Sequence, residues 1–261
     1  MTAARLQALR RHPVKGFTPE RLDAVELLAG APFPCDRMWA VENGPSGFDP
    51  LAPAHISKSR FTVLSQIAAV ARARTRYDEA SGVLTVEAEG RDPFIGRVGA
   101  PEGAAAFAAW LDAFLRAAEP ESVRGPLRVV SADAHRFFDD PRGHVSLLSL
   151  DSVSHLGRAE GVRLDPERFR CNLHVEGWPP WSELERPEGA RLRIGAVRLR
   201  VVKPIRRCAA THVDPERGVR DLDLVGALRA RHGHLFCGLY MQVEAGGRVA
   251  EGDTVEWEDA E

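Results

Sequence analysis

From Leu192 to Val202 apolar residues recur at every second position, and the run leads into Arg206-Arg207-Cys208-Ala209-Ala210-Thr211-His212-Val213-Asp214-Pro215-Glu216-Arg217-Gly218. A period of two predicts a strand with one dry and one wet face, and the Asp-Pro and Arg-Gly pairs that follow are turn chemistry. The chain must therefore accommodate a sheet with a strand that ends at a cysteine. Two guanidiniums directly before the thiol favour its thiolate, which is both a nucleophile and a soft ligand for a soft metal. A cysteine at a strand end is also a good small hydrophobe, so the surrounding chain has to decide.

The other segments point to a β-rich molecule. Pro13 and Gly16 bracket a short loop that presents Lys15. Residues 23–28 and 36–41 predict strands, the second buried with a charged start, and residues 43–47 break it. Residues 77–82 form a hairpin signal between Val70 and the alternating run 83–86. Phe107, Trp110, Leu111, Phe114 and Leu115 fall at i, i+3, i+4, i+7 and i+8, and Pro101 suits a first turn, so residues 101–118 predict an amphipathic helix with an aromatic core stripe. Residues 119–125 mark a boundary between a β-rich unit over 1–118 and a second unit over 119–261.

Beyond that boundary, residues 127–130 and 145–150 predict strands, and Ser149 caps a short helix running through Leu156 towards Gly161. Leu173 and Val175 share a strand face, and residues 178–181 form a rigid loop. A third helix is expected with Asp221 as its cap, Leu222, Val225 and Leu228 inward, and Gly233 as its stop. Residues 236–243 and 254–257 supply closing strands joined by glycine turns. The expected class is α+β, predominantly β, with the succession of short strands suited to a β-barrel or a sandwich.

Thirty-five Lys and Arg stand against 37 Asp and Glu, a net charge of −2 over 261 residues. That balance argues against nucleic acid or an anionic membrane as partner. Cys35, Cys171, Cys208 and Cys237 form no C-x-x-C pair and are widely spaced, which fits a reducing cytoplasm rather than a disulfide framework. There is no apolar run of about 18 residues and no leader-like h-region at the N-terminus, so a soluble, unprocessed, cytoplasmic protein is expected.

Three constellations carry chemistry. Lys15, Arg37 and Arg170 each lie where a loop meets a strand and together would suit an anion such as phosphate. Cys208 and His212 with His232, His234 and Cys237 have ligand types that suit zinc. Cys208 with a histidine base would suit a cysteine hydrolase. No phosphate-binding glycine loop and no dinucleotide fingerprint occurs.

The order H-P-V-K at 12–15, D-R-M-W at 36–39, R-F-R-C-N at 168–172, R-C-A-A-T-H-V-D-P-E-R-G at 207–218, F-C-G-L-Y at 236–240 and G-G-R-V-A-E-G-D at 246–253 resembles the MOSC family. It is most similar to members with an N-terminal MOSC-associated β-barrel domain, as in the mitochondrial amidoxime-reducing component and its bacterial relatives, and so implies a MOSC-type β-barrel with flanking helices plus an N-terminal β-barrel-like domain. The resemblance implies a molybdenum cofactor, a pterin dithiolene with a terminal phosphate. It makes Cys208 the metal ligand and catalytic residue, gives Lys15, Arg37, Arg170 and Asn172 the pterin and phosphate, and leaves His144 as a candidate near the metal. It also implies reduction of N-hydroxylated or N-oxide substrates.

Three positions depart from the pattern. Gly16 stands where the eukaryotic relatives have serine, Cys171 where they have proline, and Lys58 near a family arginine. A fused ferredoxin domain is not expected, so electrons are expected from a separate ferredoxin-like protein, flavin reductase or cytochrome b5-like protein. Some MOSC relatives belong to cofactor sulfurases, which leaves a non-catalytic cofactor or sulfur carrier as the alternative.

Overall fold

The period-two segments pair into a closed barrel in the computed structural model, which describes residues 3–258. The elements run β1 (Ala4–Arg11), β2 (Glu20–Leu22), β3 (Ala24–Leu27), β4 (Ala40–Asn43), β5 (Arg74–Asp78), β6 (Val83–Glu87), β7 (Phe94–Gly96) and α1 (Pro101–Ala118). They continue with β8 (Leu127–Val130), β9 (Val145–Ser149), α2 (Leu150–Ala159), β10 (Leu173–Glu176), β11 (Arg191–Ile194) and β12 (Val197–Arg206). The last are α3 (Leu224–His232), β13 (Phe236–Ala245), β14 (Gly247–Ala250) and β15 (Thr254–Trp257).

Seven strands form the barrel in the order β10-β9-β13-β12-β11-β15-β1, and β1 closes it by pairing with β10. The run from Leu192 to Val202 is two strands rather than one. Its apolar positions change parity between Ile194 and Val197, and Gly195, at φ 57°, turns the chain there into the β11–β12 hairpin. On β12, Val197, Leu199 and Val201 point inward while Arg198 and Arg200 face out. The interior is filled by such residues from every stave, including Leu6, Leu147, Leu173, Leu192, Leu239 and Val255. β9 and β10 are the parallel neighbours of the ring, and α2 is the crossover that such a pair requires.

A second core lies outside the barrel. The sheet β5-β6-β7 and the pair β4–β8 are covered by α1, which buries Phe107, Leu111, Phe114 and Leu115. This helix spans the residues its periodicity predicts. β3 pairs with β14, and β1, from the start of the chain, is a stave of the ring that residues 145–257 otherwise build.

Two local expectations are corrected. α3 is capped by Asp223, whose carboxylate accepts from Gly226 N at 2.8 Å, and it buries Leu224, Ala227 and Leu228. Asp221 is committed to Arg168 instead. The strand expected over residues 36–41 begins only at Ala40, because Cys35 and Arg37 take left-handed backbone conformations (φ 53° and 51°) that turn the chain first. Among the described residues no helix is long and apolar enough to cross a membrane.

Candidate functional site

A cavity of about 480 Å³ opens where the loop after β1 meets the loop before β9 and the end of β12. Of the residues singled out from sequence, Lys15, Arg37, His144, Arg170 and Cys208 line it. Asn172 does not. It is 1% exposed and sits behind the wall, where its Oδ1 accepts from Ser146 Oγ at 2.7 Å and its Nδ2 donates to Asp36 Oδ2 at 3.1 Å. Its contact is with the residues that hold the wall.

The end of the cavity that holds Arg37 and Arg170 is built on constrained backbone. Arg37 and Arg170 both occupy the left-handed region, at φ 51° and 54°, an arrangement that costs non-glycine residues energy and concentrates at functional sites. Arg37 Nη2 donates to Arg170 O at 3.1 Å and Arg37 Nη1 pairs with fully buried Asp36. Arg170 Nη1 donates to Phe17 O at 2.6 Å. Burial, and then Arg37, pulls the Arg170 guanidinium down to about 9. Arg37 and Arg170 oppose each other electrostatically while Asp36 offsets part of their charge, and a bound anion would relieve the rest.

Gly16 explains its own departure from serine. At φ 91°, a Cβ there would lie 2.4 Å from Thr62 O, so this loop accepts no side chain. Lys15 beside it is 6% exposed, and its ammonium donates to Phe137 O at 2.8 Å and Asp139 Oδ1 at 2.6 Å. Burial lowers Lys15 below its ordinary value. Burial also works to raise the Asp139 carboxyl, but Lys15 and Lys58 hold it well below the usual carboxylate range.

Arg207 does not flank the thiol as the sequence suggests. Successive side chains of an extended segment point to opposite sides, so Arg207 turns inward while Cys208 faces the cavity. Arg207 is 8% exposed and donates to Phe169 O at 2.7 Å, Cys237 O at 2.8 Å and Cys171 Sγ at 3.2 Å. The cation at Cys208 is Lys58, with Nζ 3.2 Å from Sγ and 3.2 Å from Asp139 Oδ2. One carboxylate thus links the lysine at the thiol to the lysine near the arginines.

The turn after Cys208 is held by Arg168, the first arginine of R-F-R-C-N. It donates to both Asp221 oxygens at 2.8 Å, to Asp214 Oδ2 at 3.3 Å and to His212 O at 3.3 Å. Across the cavity, Lys203 pairs with Asp140 at 2.5 Å, and Tyr240 lies near the His144 ring. His144 Nε2 is buried without a partner, and burial lowers this imidazole, favouring its neutral form at pH 7.

The zinc reading is corrected. His212 Nε2 lies 3.2 Å from Asp223, His232 and His234 pack around Trp181, and Cys237 is fully buried. Among the described residues no group of three or more His, Cys, Asp or Glu comes together to hold a metal ion. The hydrolase reading lacks its base, because the hydrogen-bond partner of Cys208 Sγ is a lysine.

Lys58, Asp139 and Arg168 are the contributors that sequence reasoning did not single out. Lys58 had only a loose family correspondence, and Asp139 and Arg168 form pairs across long stretches of chain with no local spacing to reveal them. Residues 134–256 match the sequence model of the MOSC domain, and residues 3–123 match that of the MOSC N-terminal beta barrel domain. The chain belongs to the MOSC family.

MOSC domains are associated with binding of molybdenum cofactor. Among solved structures, this MOSC chain is similar to the YuaD protein from Bacillus subtilis, at 15% identity and TM-score 0.46, covering 100% of this chain and 98% of that one. It is also similar to YiiM from Geobacillus stearothermophilus, at 16% identity and TM-score 0.35, covering 44% of this chain and 54% of that one. YiiM from Escherichia coli aligns at 15% identity and TM-score 0.35, over 51% of this chain and 59% of that one. No curated protein matches the chain.

Proposed function

We propose that this MOSC protein is a molybdenum cofactor-dependent oxidoreductase that reduces N-hydroxylated or N-oxide substrates. The observation that carries the reading is one cavity lined by both a thiol, at Cys208, and two guanidiniums, at Arg37 and Arg170. A pterin dithiolene with a terminal phosphate needs both ends: one thiolate for a soft metal and forked cationic donors for the phosphate. The residues present fit that group. Cys208 would hold the metal, and Arg37 and Arg170 the phosphate, with Lys15 beside them and Asn172 fixing Asp36 and Ser146 behind the wall.

When bound, the cofactor supplies two-electron oxygen-atom chemistry at molybdenum. The chain's own residues orient it and limit access. Lys58 holds the Cys208 sulfur by an N–H···S contact, Arg168 fixes the turn that follows the thiol, and His144 with Tyr240 lines the opposite wall. Reduction of an N–OH group breaks the N–O bond, takes up two electrons and two protons and releases water. The electrons come from a separate ferredoxin-like, flavin or cytochrome b5-like protein.

Elemental analysis tests this, using protein from a host that makes the cofactor and comparing wild type with Cys208→Ala. The reading expects near-stoichiometric molybdenum in the wild type, loss of it in the variant, and turnover of an N-hydroxylated substrate with an artificial donor. Tight cofactor without turnover would make the protein a carrier. Molybdenum retained in Cys208→Ala would sink the assignment of that residue.

A further inference from the structure

We propose that Asp139 selects the charge of the anion this site accepts: its carboxylate holds Lys15 in the apoprotein, and an anion must bring more than one negative charge to displace it. The proposal rests on reading Lys15, Arg37 and Arg170 as an anion seat.

Lys15 is buried, and the partners of its ammonium are Phe137 O and Asp139 Oδ1, at 2.8 and 2.6 Å. Any ligand that engages Lys15 fully therefore competes with Asp139. A monoanion gives Lys15 no more charge than Asp139 already does, and it loses translational freedom on binding. A dianion satisfies Lys15 and still has charge for Arg37 and Arg170. The surrounding charges agree. Lys15, Lys58, Arg37 and Arg170 are among the cations that line the cavity, and the carboxylates that pair with members of this group are Asp36 and Asp139.

The two carboxylates are built differently. Asp36 is fully buried and also accepts from His12 N at 2.6 Å, so it is part of the frame. The Asp139 side chain is 48% exposed on the loop before β9, so it can exchange its lysines for water. Its neighbour Asp140 is tied to Lys203 at 2.5 Å and to Arg142 at 3.3 Å. That makes Asp140 the control, since it carries the same charge on the same loop without a contact to Lys15.

The test uses apoprotein from a host that makes no molybdenum cofactor, titrated calorimetrically at constant ionic strength and neutral pH with sulfate as dianion and nitrate as monoanion. Wild type should bind sulfate and reject nitrate. Asp139→Asn should tighten sulfate about tenfold, equivalent to about 1.4 kcal/mol, and admit nitrate, with Asp139→Ala serving if the asparagine variant folds poorly. Asp140→Asn should change sulfate affinity by less than about twofold, as a screened field effect. Arg170→Met should abolish sulfate binding in every background. If Arg170→Met does so while Asp139→Asn matches wild type or moves in step with Asp140→Asn, the selection role is wrong and the seat stands. Sulfate binding indifferent to Arg170→Met, or absent from all the proteins, removes the seat and the selection role with it.

Discussion

Gly16 shows how little freedom single positions near this cavity have. Its φ of 91° and the 2.4 Å that would separate an added Cβ from Thr62 O are two separate penalties. Gly16→Ser, which restores the residue of the eukaryotic relatives, should therefore lower stability by about 2 kcal/mol or more, read as a drop in the urea midpoint at unchanged slope. A neutral outcome would mean the loop can shift away from residues 62–63. That Cys208, Lys15, Arg37 and Arg170 belong together was legible at this scale because each lies in a short ordered motif, and they share one cavity. Lys58 and Asp139 were not: Lys58 meets Cys208 across 150 residues and Asp139 across 81, and nothing local in the chain encodes such a pair. Asn172 was legible as a residue but not as a location, since a motif names the amino acid and only packing decides which side of the wall it occupies.

Among the elements, the turn from Cys208 to Asp221 depends on the clamp from Arg168. The guanidinium is 4% exposed in this pair while Asp221 is 27% exposed. Losing the arginine therefore leaves a carboxylate that water can partly reach, and Arg168→Met should cost about 2 kcal/mol, less than a fully buried pair. The clamp also gives that loss a pH signature. Arg168 lowers Asp221 below its ordinary value of 3.8, so the folded state holds this proton less tightly than the unfolded chain does. The associated stability is fully present above pH 3.8 and fades as pH falls through the depressed value. The deficit of Arg168→Met against wild type, followed by thermal melting, should be constant from neutral pH to about 4 and shrink below it. A deficit independent of pH would assign the loss to packing alone.

Local pattern served the elements well where it was regular: α1 and β8 occupy the residues expected. It failed where two signals competed. Asp221 was the cap expected for α3, but Arg168, on a different segment, engages it and Asp223 caps the helix instead.

For the molecule as a whole, strand patterning gave a barrel or a sandwich and the family resemblance gave the barrel, whereas its closure through β1 followed from neither. A strand's period says which face is dry and nothing about which strand it pairs with, so β1 gave no sign that it would join β10 and β15. A fragment starting at residue 119 lacks β1 and leaves two strand edges open at the gap. It should show no cooperative unfolding and should associate through those edges. A fragment that melts cooperatively as a monomer would show that the remaining six staves suffice.

The same closure bears on how the protein is made. β1 leaves the ribosome first and must wait for β15, whose last residue is Trp257, before its own partners are complete. Lys15 lies only four residues beyond β1, so its final position depends on that late docking. The geometry of the ring in this way delays completion of the wall around Lys15 until β15 has been made, and a chain cut short before β15 has no finished cavity.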